Sequence, residues 1–130
     1  MKHFVALARV SSRERQREGF SLDVQEDALH EYAKREGGQI DKLFSVAETA
    51  SKNQQRKAFR EVLDYARQHS DSIDGLLFFK VDRAARNLFD YVELERLAAD
   101  HGVPVIYISQ PTENTPAGRM MRRTLASMAA

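Results

Sequence analysis

Four short apolar runs set the limits on what this chain can fold into: "HFVALARV" at 3–10, "QIDKLFSV" at 39–46, "GLLFFKV" at 75–81 and "VPVIYIS" at 103–109. Each has strand length and carries β-branched or aromatic residues. Between them the apolar spacing changes to that of helices. Ser21 suits an N-cap, and Leu22, Ala28, Leu29, Tyr32 and Ala33 then share one helical face, which stops at Gly37 and Gly38. From Arg56 to His69, Phe59, Val62, Leu63 and Ala66 stand at i, i+3, i+4 and i+7. A third helical stretch runs from an Asn87 cap to Gly102. In a fourth, "TPAGRMMRRTLASMAA", Thr115 is the cap and Pro116 the first helical residue.

Strands alternating with helices predict an α/β domain. The expected form is a three-layer α/β/α sandwich around a mostly parallel sheet of four to five strands. "GLLFFKV" is apolar without a break, as a strand covered on both faces must be. A chain of 130 residues suits one core.

Several function classes drop out. Without cysteine there are no disulfides and no thiolate metal sites, which agrees with a reducing, cytoplasmic setting. No apolar run approaches the ~20 residues that span a bilayer, and no charged segment precedes a long apolar core, so neither a membrane span nor a secretory leader is expected. Net charge is only +1, but it is segregated. Arg9, Arg13, Arg15 and Arg17 face Glu14 alone within residues 9–17, and Arg119, Arg122 and Arg123 follow the last acid, Glu113. Such clusters create local positive fields on a nearly neutral molecule.

In open parallel sheets, ligands bind beyond the carboxyl ends of the strands. Arg9 and Ser11 close the first run; Asp82, Arg83 and Arg86 follow the third. If those strands are neighbours, both clusters face one crevice. Arginine offers a permanently charged fork matched to phosphate oxygens. Several arginines around one hydroxyl therefore suggest attack on a phosphate ester, where preplaced cations stabilise the developing charge. None of His3, His30, His69 and His101 accompanies Ser11 in a motif, and "G-x-S-x-G" and Gly-rich phosphate loops are missing. Asp82 is the local carboxylate able to move a proton; otherwise the arginines must lower the hydroxyl's pKa. Two alternatives stand beside this. One is a metal-dependent nuclease or phosphatase using Asp82 with Glu48 or Asp41. The other is a non-catalytic α/β module.

Together, "ARVSS", "EGFSLDVQ", "RKAF", "VDRAAR" and "TPAGRMMRRTLASMA" resemble the catalytic domain of the serine recombinases, and the spacing from Ser11 to Gln25 is closer to that of the large subgroup. The resemblance implies Ser11 as nucleophile, with Arg9, Arg56, Asp82, Arg83 and Arg86 as catalytic partners. Gln25, Ser51 and Arg119 would be supporting or DNA-backbone contacts. It implies a 5′-phosphoserine link to DNA formed without ATP, metal or other cofactor. Leu7 and the Ala84–Ala85 pair depart from commoner residues of the pattern. Residues 1–115 are expected to form the catalytic core, and 116–130 the start of a long helix carrying dimer and tetramer contacts in the full-length protein. Its stripe of Met120, Met121, Leu125 and Met128 runs to Ala130 without a C-cap. The 130-residue piece is therefore expected to be mostly monomeric and inactive on DNA alone.

Overall fold

The computed structural model describes residues 1–10, 22–47, 52–80, 84–85 and 87–109. These form β1 (Lys2–Val10), α1 (Leu22–Arg35), β2 (Gly38–Ala47), α2 (Lys52–Gln68), β3 (Gly75–Phe78), α3 (Leu88–His101) and β4 (Val105–Tyr107). The four strands build one sheet in the order β2-β1-β3-β4, and every pairing is parallel. The three-layer α/β/α expectation holds: β1 and β3 are neighbours in the middle, with helices on both faces.

Period-two alternation along β1 divides the core. Phe4, Ala6 and Ala8 face α1 and pack with Leu29, Ala33 and Leu77. Val5 and Leu7 face the opposite way, toward α2 and α3, among Phe59, Val62, Leu63, Ala66, Leu94 and Leu97. The four stripe residues of α2 are all buried, and each of Val62 and Leu63 contributes about 1.5–3 kcal/mol through removal from water. Arg9 continues the Val5–Leu7 row, so the alternation aims a charged side chain at the α2–α3 face.

Local signals explain the helix ends. Gly37 ends α1 at φ +75°, a left-handed conformation that a Cβ disfavours. Asn87 caps α3 by accepting a hydrogen bond from the Asp90 backbone N–H at 2.9 Å, and Gly102 closes the helix at φ +68°. Two boundaries differ from expectation. Helix α2 begins at Lys52, four residues before the Arg56 start that the apolar stripe predicts. Residues 53–55 are Asn-Gln-Gln and carry no apolar spacing from which to extend the helix backward. The third and fourth strands cover only part of their apolar runs, although the Ile108 and Ser109 N–H groups still donate to the Phe78 and Phe79 carbonyls, each at 2.9 Å. No helix among the described residues is long and apolar enough to cross a membrane. Ser21 and the stretch 110–130, including the expected last helix, lie outside the described residues.

Candidate active site at the carboxyl end of the sheet

Beyond the ends of β1 and β2 lies a pocket lined by Leu7, Arg9, Val46, Gln55, Arg56, Phe59, Ala84 and Asp90. The first strand brings Arg9, the second turn of α2 brings Gln55 and Arg56, and the first turn of α3 brings Asp90. Two arginines from separate elements, Arg9 and Arg56, therefore share one wall. Among these lining residues two are cationic and one is anionic, which leaves an excess positive charge. Apart from Gln55, the rest of the wall is apolar (Leu7, Val46, Phe59 and Ala84), and low polarity strengthens the attraction of a guanidinium for an anion.

Arg9 is only 7% exposed. The Gln25 side chain, itself fully buried in α1, fixes the strand at this residue. Its Oε1 accepts from the Arg9 backbone N–H at 3.3 Å, and its Nε2 donates to the Arg9 carbonyl at 2.9 Å. Gln25 thus holds main chain, with both polar ends of its amide engaged at the last described turn of chain before Ser11.

Arg56 is half-exposed, and its Nη2 lies 3.6 Å from Oδ1 of the buried Asp90. One turn further along both helices, Arg60 donates to Glu93 at 3.2 Å. These two rungs join α2 to α3.

Sequence reasoning missed Gln55 and Asp90. A shared signal was available. Gln25, Gln55 and Asp90 each stand four residues ahead of a buried apolar anchor on the same helix: Leu29, Phe59 and Leu94. Each therefore lies on the buried stripe, at the helix end adjoining the carboxyl edge of the sheet. A polar residue in such a place must find polar company.

The remaining predicted residues, Ser11, Ser51, Asp82, Arg83, Arg86 and Arg119, lie outside the described residues, as does Glu48. Ala84 and Ala85, which stand between Arg83 and Arg86 in the sequence, are 3% and 0% exposed. Asp41, offered above as a metal ligand, is not at this site. It is the extra residue of a bulge in β2, opposite the step from Phe4 to Val5, and its carboxylate lies 3.0 Å from His3 Nδ1 at the other end of the sheet. The alternation of β2 alone gave no sign of that bulge.

The model of the family described as "Resolvase, N terminal domain" matches residues 4–130. The chain belongs to the resolvase N-terminal domain family. Two solved structures share this resolvase-domain fold. The N-terminal catalytic domain of TP901-1 integrase is 24% identical, covering 95% of this chain and 91% of that one, with a TM-score of 0.74. A resolvase-family site-specific recombinase from Streptococcus pneumoniae is 22% identical, covering 97% and 86%, with a TM-score of 0.75. A comparison with curated proteins found no match. The expected kinship with serine recombinases thus rests on the family match, and the fold on that match and the two solved structures.

Proposed function

We propose that this resolvase domain is the catalytic domain of a site-specific DNA recombinase and cleaves and rejoins DNA through Ser11. The observation that carries this is the convergence of Arg9 and Arg56, from β1 and α2, on one pocket at the carboxyl end of the sheet. Ser11 stands two residues beyond Arg9, one strand period, so the alternation that turns Arg9 toward the pocket favours the same side for the hydroxyl. Asp82, Arg83 and Arg86 adjoin Ala84, a residue of the pocket wall, in sequence.

In this mechanism the Ser11 Oγ attacks phosphorus, forming a P–O bond as the bond to the deoxyribose 3′ oxygen breaks. The serine proton ends on that 3′ oxygen, and Asp82 is the carboxylate suited to relay it. The arginines balance the charge that builds on the non-bridging oxygens. One ester replaces another, so the DNA 3′ hydroxyl can later attack the phosphoserine and restore a strand without ATP. Phosphate contacts orient the DNA but carry no base information. Partners on this reading are DNA and further copies of the chain, joined through the helix expected at 116–130.

The test is covalent trapping. Full-length protein is incubated with a nicked DNA duplex from which the cleaved end diffuses away, and the adduct is mapped by mass spectrometry. A 5′-phosphoryl link at Ser11, absent in Ser11→Ala, is expected. Cleavage that persists in Ser11→Ala and is abolished by EDTA would refute the proposal and favour a metal-dependent nuclease.

A further inference from the structure

We infer that Asp90 is a positioning residue for Arg56: its buried carboxylate fixes the guanidinium at the pocket in the orientation that meets a DNA phosphate. This rests on the function proposed above and assigns a part to a residue outside the expected catalytic set.

Three observations converge on Asp90. Its side chain is 2% exposed, whereas that of Arg56 is 48% exposed, so the pair has a rigid inner member and a solvent-facing outer one. The backbone N–H of Asp90 is tied to the Asn87 cap, which fixes the carboxylate's origin at the start of α3. Asp90 also occupies the stripe position four residues before Leu94, where packing alone calls for an apolar side chain. A carboxylate there is desolvated at a cost, which the start of α3 offsets in part and the Arg56 cation beside it offsets further.

The neighbouring rung shows that joining the helices does not require this arrangement. Arg60 and Glu93 pair closely at 3.2 Å, more exposed, and neither lines the pocket. Asp90 does line it. What it adds is orientational. An arginine on a helix surface samples many rotamers, and a fixed counter-charge 3.6 Å from one guanidinium nitrogen narrows that range before the substrate arrives. With Nη2 drawn toward Asp90, the half-exposed remainder of the side chain is presented to the pocket.

The obvious competing idea has the opposite sign. Were the carboxylate a stand-in anion that DNA must displace, neutralising it would speed cleavage. Asp90→Asn, Asp90→Glu and Glu93→Gln separate the two. In the full-length protein with saturating DNA, Asp90→Asn is expected to slow adduct formation by about 10²-fold. DNA affinity should change little, Asp90→Glu should recover part of the rate, and Glu93→Gln should stay near wild type. NMR of the 130-residue chain supplies a second readout that needs no DNA. Rotation of the Arg56 guanidinium about Nε–Cζ should be slow in wild type and Glu93→Gln but fast in Asp90→Asn. Unchanged or faster adduct formation in Asp90→Asn, or unchanged Arg56 rotation, overturns the inference. If wild-type protein forms no Ser11 adduct, the proposed function fails instead, and the NMR result decides the Arg56–Asp90 link by itself. Should Asp90→Asn not fold, Asp90→Glu carries both measurements, with faster rotation and slower cleavage expected and wild-type values in both overturning it.

Discussion

The two ends of the sheet use similar residues for different purposes. At the carboxyl end Arg9, Gln25, Gln55 and Asp90 are buried, and Arg56 leans over them from α2. At the amino end His3, Asp41, Gln39 and Asp74 form an exposed network. Asp41 Oδ2 lies 3.0 Å from His3 Nδ1 and Gln39 donates to Asp41 at 2.9 Å, while the His3 backbone donates to the Asp74 carboxylate at 2.7 Å. Water can replace any partner in the second set. In the first set it cannot, because helices cover the groups from both faces. Burial therefore separates polar residues that can be preorganised for chemistry from those that fasten a strand to its neighbour.

The sharpest way to break this comparison is at Arg9. Arg9→Ala should lower the rate of DNA–protein adduct formation by about 10²–10³-fold, as the loss of one charge-stabilising group does elsewhere. A rate within a few-fold of wild type, in quench-flow measurements at saturating DNA, would put the buried end on the same footing as the exposed one.

Gln25 should show the same contrast in stability. Gln25→Ala removes both bonds to the Arg9 main chain in a dry site, and a loss of about 1–3 kcal/mol in urea denaturation is expected. Gly38→Ala probes the opposite end. A Cβ there would stand 2.4 Å from the Lys2 carbonyl oxygen, in backbone that has no rotamer with which to yield. Overpacking of this kind costs about 1–3 kcal/mol, read in the same denaturation experiment, but it should leave the chemistry of the far pocket unaffected apart from the folded fraction.

The smallest effect belongs to Asp41. The hydrogen bond from His3 holds its carboxyl below the ordinary carboxylate range. A depressed folded pKa contributes stability above the unfolded value of about 3.9, and that contribution is lost as pH falls through the lower folded value. Because the pair is exposed and solvent-screened, Asp41→Asn should cost under about 1 kcal/mol at neutral pH, with the difference closing in acid. A larger penalty that persists at low pH would place the amino-end network among the buried ones.

Much of the fold was legible because its signals are periodic. The strand runs, the α2 stripe and the Asn87–Gly102 limits of α3 each repeat or punctuate at fixed spacing, and all recur in the structure. Arg9 was legible too, since it closes an apolar run. Asp90 and Gln55 were not, because a polar residue at a helix's first turns looks like ordinary capping or dipole chemistry until the neighbouring elements are known. The bulge at Asp41 left no mark on the alternation of its strand. The early start of α2 was hidden by three polar residues, so the helix was legible only from Arg56 onward.

Gln25 reaches Arg9 from the α1 side of the sheet, while the Arg9 guanidinium works on the α2–α3 side. The grip and the tool belong to one residue yet are supplied from opposite layers. The bonds from Gln25 to the strand tip accordingly do not depend on which side chain stands at position 9. Conversely, any shift of α1 along the sheet would carry that tip with it, so the outer helix is coupled to the pocket edge without lining the pocket itself.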